Sequence, residues 1–249
     1  MMIKIIMTAI VFTTFTSTLT AADSYPWLIT MDATSDSRNS GEKLMNLTYG
    51  LKLLENENKK ENTLLVGVHG SNSQGYEWIY PLKTLDSNNH LTFFYRWDDS
   101  KCPQPSAKKL SQALNKVIDE HSSIKKIIIL GHSYGGLLAS WFAENWTSSL
   151  SIEIHTIASP LIGNKIINNL CEYIPPNSIK KNVAFFQWRT QKELDGAFKD
   201  LEINPQAINL KGSKVYELPD LYKGNRLGHN WSISFVADEL KKRIKKNDD

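Results

Sequence analysis

The stretch that most constrains this chain is Gly131-His132-Ser133-Tyr134-Gly135-Gly136, set between the apolar run Lys126-Ile127-Ile128-Ile129-Leu130 and the helix-like Leu137-Leu138-Ala139-Ser140-Trp141-Phe142-Ala143. A buried strand, a sharp turn carrying a serine between glycines, and then a helix make up a nucleophile elbow. The logic is steric. A serine at the tip must take a strained backbone conformation, and a glycine two residues to either side lets strand and helix pack closely enough to hold it there. The pentapeptide alone decides little, because about one chain of this length in ten would contain it by chance. The strand before it and the helix after it are the confirming context.

With 249 residues, 41% hydrophobic and 22% charged, the chain reads as one globular domain of α/β size, able to bury roughly 70 to 75% of its unfolded surface. Met1-Met2-Ile3-Lys4, the apolar Ile5 to Phe12 and a Ser/Thr stretch ending in Ala21-Ala22 have the charge, apolar core and small-residue exit of a signal peptide. We expect residues 1–22 to be a cleaved leader, 23–249 to be the mature domain, and the protein to be exported, whether periplasmic or secreted. The net charge of +3 is too small to imply nucleic acid as a partner. The basic run Lys241 to Lys246 reads as the solvated face and last turn of a C-terminal helix, where cations favour the dipole. Cys102 and Cys171 are the two cysteines; in an oxidising compartment they are either bonded or free, and no Cys-x-x-Cys or clustered His/Cys spacing suggests a metal. Asn46, Asn145 and Asn230 sit in glycosylation sequons, which matter only in a eukaryotic export route.

Along the chain, Trp27 to Met31 and Tyr49 to Leu54 are candidate first, antiparallel strands. Thr63 to Val68 is a continuous apolar run of the kind buried on both faces of a parallel sheet. It ends in His69-Gly70-Ser71-Asn72, and a helix is expected over Tyr76 to Leu85. A His-Gly pair at such a strand end is where elbow-type hydrolases place an oxyanion-hole loop, so the amide of Ser71, or of Asn72, would join that of Tyr134. Further strands are expected at Leu91 to Tyr95, Ser151 to Ile157, Val183 to Trp188 and, last, Lys214 to Leu218. Helices are expected at Ser106 to His121, with Leu110, Leu114, Val117 and Ile118 facing the core, and at Asn230 to Lys245. Strands alternating with helices imply a mainly parallel sheet covered on both faces, with ligands at the carboxyl ends of the strands. His69, Ser133 and Ser159 all fall at such ends.

A serine hydroxyl needs a base, and the base an orienting carboxylate. His229 is the only histidine after the last expected strand and is the candidate base. His69 and His132 read as loop-shaping, His155 as a strand residue, and His90 and His121 as solvated. The loop after Val183 to Trp188 offers Glu193, Asp195 and Asp200; Asp195, followed by Gly196, is the choice, with Asp220 the main rival and Asp98 a weaker one. The order serine, aspartate, histidine is that of α/β-hydrolases.

On these pieces, His69-Gly70-Ser71, the elbow, Ala158-Ser159-Pro160-Leu161-Ile162-Gly163, Asp195-Gly196 and Gly228-His229, the stretch from about Thr63 to Val236 resembles an α/β-hydrolase of the lipase/esterase type. It is similar to the lipase-like group that includes the GPI inositol-deacylases. Where many lipases carry Thr-Pro-His-x-Gly, this chain has Ser159-Pro160-Leu161-Ile162-Gly163. The resemblance implies hydrolysis of carboxylic esters, acyl lipids among them, through an acyl-enzyme. No cofactor is required. The partners it implies are a small-molecule or lipid ester and transient contact with a membrane surface, with no obligate protein partner. An amidase, thioesterase or acyltransferase would use the same machinery. An inactive binding protein on this scaffold would lack a triad member, and the sequence lacks none. The short interval between Ile157 and Val183 leaves room for a small cap, which a Cys102–Cys171 bond would pin beside the site.

Overall fold

The computed structural model describes residues 28–56 and 61–248, the side chains of 245–248 excepted; the expected leader, residues 1–22, lies outside them. Seven strands form one sheet: β1 (Gly50–Leu53), β2 (Thr63–Val68), β3 (His90–Arg96), β4 (Lys126–His132), β5 (Ser151–Ile157), β6 (Val183–Arg189) and β7 (Lys214–Glu217). Their spatial order is β1-β3-β2-β4-β5-β6-β7, with β1 antiparallel to β3 and every other pair parallel. This is the mainly parallel α/β-hydrolase sheet the sequence implied. All six residues of β2 are buried, as its unbroken apolar run requires of a strand covered on both sides.

Side chains alternate across the sheet. Leu64, Val66 and Val68 join one core with α3 (Pro103–Glu120), α4 (Tyr134–Ser140) and α5 (Phe142–Asn145), while Leu65, Phe94 and Ile128 join the other with α1 (Ser37–Met45), α2 (Tyr76–Leu85) and α7 (Trp231–Asp248). Leu110 and Leu114 of α3 are fully buried, and Val117 and Ile118 pack at the margin of the same core. The short α6 (Lys165–Leu170), between β5 and β6, is the helix of a small cap. Cys102 and Cys171 are disulfide-bonded, tying the start of α3 to the end of α6.

Several expectations are corrected. Leu28–Thr30 is a 3-10 turn, not a strand; it touches the sheet edge through one hydrogen bond from Leu28 N to Leu54 O (2.6 Å). Helix α1 had no sequence signal because its buried face is Ser40, Gly41 and Leu44, which gives almost no apolar periodicity. Its entry is organised by Asp32, whose carboxylate accepts from the amides of Thr34 and Asp36. Helix α3 starts at Pro103, three residues before the expected start, with proline in the first turn where its missing N–H costs nothing. A hairpin, β8 (Leu221–Tyr222) and β9 (Asn225–Arg226), follows the sheet, turning through Lys223 and Gly224 at φ of 49° and 77°. His90 is 5% exposed rather than solvated, its Nδ1 2.6 Å from Leu85 O; an imidazole that opens a strand beneath a helix end is covered by both.

Candidate active site

The order β3-β2-β4 means the chain leaves β2 to one side and returns on the other, so the carboxyl ends of β2 and β4 flank a topological switch point. Crevices for ligands form at such points in open parallel sheets. His69-Gly70-Ser71 leaves one lip and His132-Ser133 the other.

Ser133 has φ 52° and ψ −122°, a conformation that L-residues rarely hold. Its surroundings over-determine it: Ser133 N donates to Ile157 O (2.9 Å), and its carbonyl accepts from Gly136 N (2.9 Å) and Ser159 Oγ (2.8 Å). Ser159 is 2% exposed and props the elbow from beneath. Gly135 lets α4 approach β2, since a Cβ there would lie 2.4 Å from His69 O. Gly70 crosses so close above the serine that a Cβ would sit 2.8 Å from Ser133 Cβ.

His229, between β9 and α7, directs Nδ1 at Asp195 Oδ2, 3.0 Å away. Asp195 is fully buried and both its oxygens are engaged: Oδ2 also accepts from Thr190 Oγ1 (2.5 Å), and Oδ1 from Ala197 N (2.8 Å). Thr190 N in turn donates to Gln206 Oε1 (2.9 Å). A carboxylate acceptor at Nδ1 places the ring's proton there and leaves Nε2 as its free base position. The backbone of His229 is held from the other side, its carbonyl accepting from His132 Nε2 (3.1 Å) with the two rings 4.7 Å apart. Phe198 meets the His229 ring edge-on at 5.1 Å.

Ser133, His229, Gly70 and Ser71 line one cavity of about 60 Å³. Among the described residues none of the rival carboxylates holds the His229 ring. Asp220 and Glu193 are exposed, as is Asp200, and Asp98 accepts from Ser100 N and Oγ in its own turn. Asn72, at φ 54°, donates its amide to Asp99 Oδ2 (2.7 Å). That leaves the Ser71 amide as the candidate in this loop, beside that of Tyr134, which opens α4 and so has no acceptor within the helix.

The loop itself rests on a buried histidine. His69 is fully buried; its Nδ1 donates to Gly70 O (2.8 Å), and Nε2 accepts from Arg96 Nη1 (2.9 Å) and, at 3.3 Å, Trp97 N. Guanidinium donates only, so the ring is neutral. Burial, with the Arg96 charge acting in the same direction, pushes its pKa down to about 4. Burial, and then the neighbouring His229, likewise holds His132 well below the usual histidine range. Glu77 in α2 accepts from Ser73 Oγ and so fastens the far end of the loop, while burial raises its carboxyl pKa. Neither the Asp99 nor the Glu77 contact had a signal in the sequence. Among the described residues no three His, Cys, Asp or Glu side chains are grouped to hold a metal ion.

Solved structures share this fold at low identity. An esterase from Pyrococcus furiosus superposes with a TM-score of 0.50 at 12% identity over 76% of this chain and 82% of that one. Est1E from Butyrivibrio proteoclasticus gives 0.51 at 11% over 79% and 92%. An α/β serine hydrolase without a lid, from Xanthomonas campestris, gives 0.50 at 11% over 79% and 87%. No curated protein sequence matches the chain. The family Lipase (class 3) matches residues 66–192. That span is just over half of the chain and runs from β2 through the elbow to the threshold of the Asp195 loop, and the chain belongs to the class 3 lipases.

Proposed function

We propose that this lipase/esterase-type hydrolase is an exported serine hydrolase that cleaves carboxylic esters, acyl lipids among them, through an acyl-enzyme. The single observation that carries the reading is the 3.0 Å contact of His229 Nδ1 with buried Asp195, His229 lining the same cavity as strained Ser133. Ser133 Oγ attacks the acyl carbonyl and gives its proton to His229 Nε2. Asp195 stabilises the imidazolium, and the amides of Ser71 and Tyr134 meet the oxyanion. The proton then passes to the departing alcohol, and water activated by the same histidine releases the acid. Support for a lipid substrate is the exposure of Ile166, Leu170 and Ile174, 69 to 78% accessible, on the cap around the disulfide.

A fluorophosphonate probe tests the mechanism. It should label wild-type protein and leave Ser133→Ala unlabelled; folded wild type that takes no label would sink the reading. N-terminal sequencing of exported protein should begin at Asp23.

A further inference from the structure

A second cavity, of about 260 Å³, lies at the opposite end of the sheet, on the α7 side. Lys126 and Lys214 open β4 and β7 and stand at its edge. Ser133 follows the other end of β4, roughly 20 Å away at about 3.3 Å per strand residue. Nothing in ester hydrolysis at Ser133 uses this place.

Its buried wall contains His155, fifth in β5 and 1% exposed. Trp188 Nε1 donates to His155 Nδ1 at 3.1 Å. An indole N–H can only donate, so Nδ1 carries the lone pair and the neutral ring has its proton on Nε2. Nε2 is buried without a hydrogen-bond partner. The nearest carboxylate oxygen, Glu153 Oε2, is 3.6 Å away, beyond hydrogen-bond reach, and the other Glu153 oxygen accepts from Lys126 Nζ at 2.9 Å. A buried N–H donor whose nearest acceptor stands off at 3.6 Å calls for an explanation.

Two cations that rest on aromatic rings, with no carboxylate partner among the described residues, complete the cavity. Arg243 lies over the rings of Trp188 and Tyr216, at 4.9 and 4.6 Å, and Lys214 Nζ stands 5.5 Å from the centre of the Phe186 ring. Among the described residues neither makes a hydrogen bond or ion pair. Lys126, Lys214 and Arg243 against Glu153 leave the lining two charges positive, while Leu65, Ile128 and Leu240 supply an apolar floor.

We infer that this cavity binds a small carboxylate with a short hydrocarbon chain, its oxygens accepting from His155 Nε2–H and pairing with Arg243 and Lys214, its chain on Leu65, Ile128 and Leu240. At about 30 Å³ per non-hydrogen atom, the space suits a ligand the size of hexanoate.

Titration calorimetry on the full chain with hexanoate, 1-hexanol and inorganic phosphate tests this. Hexanoate should bind saturably, and the alcohol and phosphate at least tenfold more weakly. Arg243→Met should weaken hexanoate at least tenfold while leaving ester turnover unchanged, and Lys214→Met, at the exposed rim, gives the same reading if the first variant does not fold. In ¹⁵N-histidine spectra, hexanoate should shift the Nε2 signal of the resonance that His155→Phe removes. No saturable binding, equal binding of hexanol or phosphate, binding unaltered in both folded variants, or a shift confined to His229 would each overturn the assignment. None of these readouts depends on Ser133 being a nucleophile.

Discussion

Ser133 and Asp195 reach their roles by different routes, and substitutions should separate them by magnitude. On the proposed mechanism Ser133→Ala lowers kcat by on the order of 10⁶ and Asp195→Ala by about 10⁴. Asp220→Ala should leave turnover near normal, since Asp220 is exposed and His229 Nδ1 is held by Asp195; the reverse pattern in ester kinetics would refute the assignment. Ser133 was legible because its strain is written into flanking glycines. Asp195 was legible only as one acid among several, because what selects it, the donors Thr190 and Ala197, is tertiary. The misreading of His90 has the same origin: burial under the end of α2 leaves no local trace. His69 supports a prediction in pH. Its folded pKa of about 4 lies below the ordinary 6.5. Between those values the unfolded chain binds a proton that the native ring refuses. The stability is therefore complete above pH 6.5 and is lost as pH falls toward 4, by up to roughly 3 kcal/mol. Thermal melts across that window should show the loss in wild type and a flatter profile in His69→Gln.

At the scale of elements, the parallel strands were the most legible part of the fold, because a strand buried on both faces is an uninterrupted apolar run. Elements that bury small residues or span only two residues, α1 and the β8–β9 hairpin, have no such pattern. The cap was readable as a short interval, but its attachment was not: the sequence left the cysteines equally bonded or free, and the structure joins them across a separation of 69 residues. Cross-linking a loop of that length restrains the unfolded chain by about 4 kcal/mol. Replacing both cysteines with alanine should therefore lower Tm by roughly 10 °C in calorimetry, and an unchanged Tm would mean the bond contributes nothing to stability.

The whole molecule divides its chemistry between the two ends of one sheet. The strained serine, the neutral histidines and the exposed apolar cap gather at the carboxyl ends of the strands; the cations of β4, β7 and α7 gather at the other. If the apolar cap meets a lipid surface, Ile166→Ser combined with Leu170→Ser and Ile174→Ser should reduce hydrolysis of vesicle-borne esters at least tenfold. The rate on a soluble short-chain ester should change less than twofold. Equal loss on both substrates would assign those side chains to the site rather than to an interface.

The switch point also bears on how the protein comes to be active. The two lips of the crevice belong to β2 and β4, which are neighbours in the sheet but have all of α2, β3 and α3 between them in the chain. Their pairing is non-local and must close that long loop before any contact rewards it, which makes it a slow event. Until it happens, Gly70 has no serine beneath it and the elbow carrying Ser133 has no opposite lip. Catalytic competence should therefore lag behind helix formation during refolding and emerge with the closure of the central strand pair.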